Sequence, residues 1–208
     1  MTSEAGYRCL AFAGQVVALE WADALAGRWL RQLVQSHPQF QPALPSAVFR
    51  AHTGSGGSTF TVFQNTTCLY RGDCPGSGLQ ALLDALMRHC IRSCHNGLML
   101  HAGLVSKQGT GCLIAGVSGA GKSTPVAWLL DQGWHYHGDE LTHVDLEGSA
   151  FEGFARSLCV KGDDRSSLPD AWAEAEALPP HPQRSLLVVD DRLSAGCPAP
   201  ATLAPGCI

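Results

Sequence analysis

The stretch GVSGAGKST, residues 116–124, places Gly116, Gly121, Lys122 and Ser123 at the spacing GxxxxGK(S/T). Each residue type has a task in holding a polyphosphate. Glycines let the backbone wrap round an anion with no Cβ in the way. The N–H groups along Gly116, Val117, Ser118, Gly119, Ala120, Gly121, Lys122, Ser123 and Thr124 then form an anion nest. The helix expected next adds the positive end of its dipole. Lys122 brings a mobile charge for the β- and γ-phosphates, and the Ser123 hydroxyl is placed to ligate Mg²⁺. The expected ligands are therefore ATP and Mg²⁺.

Pro125 stands where that helix should take hold. The first helical N–H groups have no intrahelical acceptor, so a proline there forfeits little hydrogen bonding. Its effect falls on Thr124, because a residue before proline is biased away from helical angles. A slightly distorted first turn and a retained nucleotide site are expected.

A phosphate loop alone transfers nothing. Chemistry needs an acid at the end of a neighbouring strand, to hold the metal or to activate a nucleophile. Asp139-Glu140 in GWHYHGDEL and Asp190-Asp191 in SLLVVDD both qualify. Two other clusters invite a metal reading. In HCIRSCH (89–95), Cys90 and Cys94 share a helix face while His89 and His95 diverge, which leaves an incomplete zinc site. Buried thiols are expected there. In HYHGDELTH, His135, His137 and Asp139 alternate and would share a strand face, a set that a metal-dependent hydrolase could use. The adjacent phosphate loop already accounts for Asp139.

The order LMLHAGLVSKQGTGCLIAGVSGAGKST…LLDQGWHYHGDEL resembles the catalytic domain of the HPr kinase/phosphorylase family. FARSLCVKG (154–162), and LYRGD followed by a long helix, resemble the HPr-kinase-related kinases found beside peptide-modifying biosynthetic genes. The likeness covers roughly residues 68–162. It implies a serine kinase in which a substrate hydroxyl attacks the γ-phosphate. Asp139 matches the first acid of the family's pair, and Glu140 replaces what is commonly a second aspartate. Both thus enter as catalytic and metal-binding candidates, beside Ser123 as a metal ligand. His101 matches the family's histidine near the phosphates. Lys122, Arg156 and Lys161 are the cations available to neutralise developing charge or hold substrate. The implied partner is a protein or peptide with an acceptor serine, and homo-oligomers are compatible with the likeness. Family domains usually continue beyond the point where this sequence stops, so the alternative expectation is a non-catalytic ATP-binding regulator or assembly factor.

The elements that must carry these residues fall on either side of residue 97. The first 97 residues read as a small α+β module for substrate positioning or assembly. YRCLAFAGQVVALEW reads as one or two strands, and ADALAGRWLRQLVQSH has helical periodicity. AVFRAH and STFTVFQNTTCLYRG read as antiparallel strands, and SGLQALLDALMRHCIRSCHNG as an amphipathic helix stopped by Asn96-Gly97. Residues 98–208 read as an α/β, P-loop kinase-like module, with a strand on either side of SKQGTG and a helix in TPVAWLLDQG. LPDAWAEAEAL reads as a helix and RSLLVVDD as a strand.

Composition limits the function classes. The chain has 208 residues, 45% of them apolar and 15% charged, with a formal net charge of −4. That suits a globular core and gives no basic face for nucleic acid or an anionic membrane. No apolar run approaches the ~20 residues that span a bilayer. MTSEAGYRCLAF lacks the pattern of a signal peptide. Nine cysteines at scattered spacing fit free thiols in a cytoplasmic protein.

Overall fold

The computed structural model describes residues 5–37, 44–54, 57–117, 119–146, 150–161, 165–172 and 175–189. Ser118, Asp190, Asp191 and the tail therefore lie outside the described residues.

The first half builds one sheet. Strands β1 (Gly6–Phe12) and β2 (Gln15–Trp21) form a hairpin whose turn places Ala13 and Gly14 at positive φ. Helix α1 (Ala24–Leu33) starts at Asp23, whose carboxylate accepts the Ala26 N–H. It carries the chain across, so that β3 (Ala47–Thr53) pairs parallel to β2 with Ala47 opposite Val17. Strands β4 (Phe60–Gln64) and β5 (Thr67–Gly72) add on antiparallel, and Asn65 at φ 53° supplies their turn. The long helix α2 (Pro75–Ser93) packs on β4 and β5. It ends two residues before the Asn96-Gly97 stop read from the sequence.

The second half is where expectation and structure part. An α/β, P-loop kinase-like module is not what forms. Residues 97–100 and 102–107 give β6 (Gly97–Leu100) and β7 (Ala102–Lys107), followed by β8 (Thr110–Ala115) and helix α3 (Ser123–Asp131). Then come β9 (His135–Gly138), β10 (Thr142–Asp145), β11 (Phe151–Gly153), β12 (Leu158–Lys161) and β13 (Arg184–Leu187). They make three small sheets, ordered β8-β7-β9, β11-β10-β6 and β12-β13, in which every pairing is antiparallel.

The physical reasons are local. A turn at Gln108-Gly109, both at positive φ, folds β8 straight back on β7. Parallel neighbours would need a crossover of a dozen or more residues. The expected helix in LPDAWAEAEAL reduces, among the described residues, to one 3₁₀ turn at Asp170–Trp172. Trp172 is fully buried there. Short apolar runs such as CLIA mark buried strands but carry no information on the direction of pairing.

One consequence positions the site. Both β8 and β9 run antiparallel to β7, so they run parallel to each other on its two sides. Helix α3 is the crossover between them. The chain after β8 and the chain after β9 therefore emerge at the same end of the sheet. Val126, Ala127 and Leu130 pin α3 in a core with Val105, Tyr136, Leu158 and Trp172. Burying a side chain such as Val126 or Leu130 contributes roughly 1.5–3 kcal/mol. A second core crosses residue 97, joining Leu30, Leu82 and Phe49 to Leu141, Phe154 and Leu186. Among the described residues no helix is long and apolar enough to cross a membrane.

His137 on β9 is buried, with Nε2 2.8 Å from Ser106 Oγ on β7. Burial, helped by neighbouring His135, pulls its pKa down to about 4. The unfolded chain takes up this proton near pH 6.5, whereas the folded chain resists until about pH 4. The contribution of His137 to stability is thus fully present above pH 6.5 and is lost as pH falls towards 4. Its full span is about 3 kcal/mol. Urea unfolding between pH 7 and 4 should show wild type losing stability more steeply than His137→Gln. Parallel pH profiles would contradict this.

Candidate functional site

At the end of β8, the loop enters α3 through two left-handed glycines, Gly119 at φ 89° and Gly121 at φ 78°. A side chain would be strained at either. The Ala120 N–H donates to the Val117 carbonyl at 3.1 Å, and the Thr124 N–H to the Gly121 carbonyl at 3.1 Å. Among the described residues the N–H groups of Gly119, Gly121, Lys122 and Ser123 have no such acceptor. They gather at the head of a helix, the kind of arrangement from which anion nests are built. Ser118 lies outside the described residues. Lys122 is buried, and its Nζ donates to the carbonyls of Gly116 at 2.9 Å and Val117 at 3.1 Å. An ammonium has three donors, so one remains for a ligand.

Pro125 is the third residue of α3. The first bond spanning a full helical turn runs from Val126 N–H to the Lys122 carbonyl at 3.3 Å. The proline thus displaces no intrahelical bond. The tight bond from Thr124 to Gly121 is the expected distortion of the first turn.

Asp139 leaves the end of β9 directly beside this helix. Its Oδ2 accepts the Ser123 hydroxyl at 2.9 Å and the Cys159 N–H at 3.1 Å. Its Oδ1 lies 3.0 Å from the Tyr136 hydroxyl, which also lies 2.9 Å from the Arg156 carbonyl. Arg156 NH2 sits 3.4 Å from Asp139 Oδ1 and 2.5 Å from Glu140 Oε2. Burial alone would lower the Arg156 pKa, but Asp139 and Glu140 outweigh it and hold the guanidinium firmly charged. Burial, reinforced by Asp139, pushes the Tyr136 hydroxyl far above its usual range, so it stays a donor.

The two acids of the pair differ in exposure. The Asp139 side chain is 0% exposed and that of Glu140 is 26% exposed. Glu140 Oε1 also lies 3.3 Å from His101 Nε2, and the His101 side chain is 45% exposed. His101 is thus neither a core histidine nor part of a strand, since it sits between β6 and β7. Ser123, Asp139, Glu140, His101 and Lys122 all border one cleft of about 280 Å³. Arg156 backs the acids from within, at 2% exposure. Lys161 borders the cleft on the far side together with Arg184.

Two residues escaped the sequence reading. Tyr136 was masked by the His135, His137, Asp139 alternation. Strand β9 stops at Gly138, so Asp139 leaves that face and His137 bonds Ser106 instead. Arg184 lies far along the chain, and only the β12–β13 pairing brings it opposite Lys161. Of the cysteine cluster, Cys90 is buried, and burial pushes its thiol up to about 12. Cys94 is the C-cap beyond the end of α2. Among the described residues no group of three histidine, cysteine or acidic side chains converges on a metal position.

No family model matches the chain, and no curated protein or solved structure matches it. The likeness to HPr kinases therefore rests on the motifs alone.

Asp139→Asn keeps the shape but weakens the pairing of a buried guanidinium. Breaking such a pair costs about 3–5 kcal/mol, and the remaining Glu140 contact points to the lower end. Urea denaturation should show a loss of about 3 kcal/mol; an unchanged midpoint would mean that the buried pair does not form. Pro125→Leu restores an N–H with no intrahelical acceptor, so any affinity of this loop for ATP should change less than about threefold. A tenfold loss by calorimetry would contradict that.

Proposed function

We propose that this chain binds Mg·ATP at residues 116–124 and transfers the γ-phosphoryl group to a hydroxyl. The acceptor class, a serine in a protein or peptide, comes from the likeness to HPr-kinase-related kinases. The observation that carries the proposal is the 2.9 Å bond from Ser123 Oγ to Asp139, with Glu140 next to it on the cleft.

The residues present fit a magnesium ion. Donation to Asp139 turns the lone pairs of Ser123 Oγ towards the cleft, so Ser123 would hold the metal. Asp139 orients that hydroxyl, and Glu140 adds a second oxygen donor at the cleft. A Mg²⁺ ion typically takes one or two protein oxygens and fills its shell with phosphate and water. When bound, it would offset charge on the phosphate oxygens.

The chain's own part in the reaction follows. The loop amides and Lys122 hold the phosphates. Glu140 takes the proton of the acceptor hydroxyl as its oxygen bonds to the γ-phosphorus. The bond from that phosphorus to the β–γ bridging oxygen breaks, and ADP leaves. His101 stands beside Glu140 and is placed to receive or steady that proton. Arg156 keeps both acids fixed. ATP as substrate and unpaired thiols fit a cytoplasmic setting.

A second reading has its own support. Both Glu140 oxygens already have partners, Arg156 and His101. That arrangement favours an ATP-binding regulator without transfer. Labelled ATP, Mg²⁺ and serine peptides separate the two. Transfer that falls at least 100-fold in Glu140→Gln, with ATP binding kept within threefold, is expected for the kinase, on the usual scale of ~10²–10⁴ for general-base catalysis. Binding without transfer to any acceptor favours the regulator. In either case Lys122→Ala should abolish stabilisation by ATP in a thermal melt; persistence would overturn the loop assignment.

A further inference from the structure

The far wall of the cleft carries two cationic side chains. Strands β12 and β13 place Lys161 directly opposite Arg184, and both side chains border the cleft. Lys161 Nζ reaches over the loop, to within 2.9 Å of where a Cβ on Gly119 would stand. Among the described residues, no carboxylate lies within 4.0 Å of either cation. The two acids of the cleft, Asp139 and Glu140, share a single cation, Arg156, behind them. Lys122, Lys161 and Arg184 thus border one cavity together. This wall is also fastened to the metal side, because the Cys159 N–H at the start of β12 donates to Asp139.

We propose that Lys161 and Arg184 form a cationic clamp on the terminal phosphoryl group, opposite the loop. Through this clamp the site distinguishes ATP from ADP, and the chain supplies its own transfer-promoting arginine. The proposal rests on the nucleotide reading above. A guanidinium stays charged and grips phosphate oxygens in pairs, whereas a lysine acts as a point charge. An arginine of this kind in other phosphoryl-transfer sites is worth roughly 10³–10⁵ in rate. With Arg184 built in, no partner protein has to bring one.

The test is calorimetric titration of Mg·ATP and Mg·ADP into wild type, Lys161→Met, Arg184→Ala and Arg184→Lys. A peptide-transfer assay on the same proteins accompanies it. Wild type should prefer ATP. Arg184→Ala and Lys161→Met should each weaken ATP by about tenfold or more, as expected on losing a hydrogen bond to a charged group. ADP affinity should move less than threefold. Arg184→Lys, the milder change, should recover part of the ATP affinity while transfer stays at least 100-fold down, given the usual ~10³ for such an arginine. Equal losses for ATP and ADP, or an unchanged preference in every variant, would overturn the clamp while leaving the nucleotide site intact. Wild type that binds neither nucleotide would overturn the nucleotide reading, and the clamp with it.

Discussion

The Asp139 carboxylate ties three elements together. It receives the first residue of α3 through Ser123, the start of β12 through Cys159 and the middle of β9 through Tyr136. Arg156 balances its charge from inside the protein. An unpaired carboxylate at that depth would be several kcal/mol unfavourable. Burial of Asp139 is therefore tolerable only together with these partners. The same bonds that make burial tolerable fix the hydroxyl, the loop and the far wall of the cleft relative to one another.

That convergence depends on strand direction rather than on a parallel sheet. With β7 between them, β8 and β9 deliver the loop and the acid to one end of a three-stranded antiparallel sheet. The glycine loop and the acid are thus brought together on a frame of short hairpins. The buried acid is held by its bonds and the half-buried acid faces the cleft. Two adjacent carboxylates thus differ by burial alone, with Asp139 enclosed and Glu140 partly open to the cleft.

The grouping of the candidate residues round one cleft was more legible in the sequence than the fold. Gly121, Lys122 and Ser123 announce themselves because phosphate binding demands those types at those offsets. Asp139 follows from its place after the loop's helix. The harmless position of Pro125 follows once the helix start is known. The antiparallel frame was hidden because runs of four to six apolar residues look the same in either pairing direction. Asn65 and the Gln108-Gly109 turn, which reverse the chain, were the stronger clues. Arg184 was illegible for a different reason: an isolated arginine acquires meaning only from its neighbour across a hairpin.

The central claim is that the amides at the entry to α3 grip a nucleotide's phosphates. Hydrogen exchange with and without Mg·ATP measures those amides directly. Added protection is expected across residues 119–124, with β1 to β5 unchanged. No change at the loop, or protection confined to another part of the chain, would contradict the account.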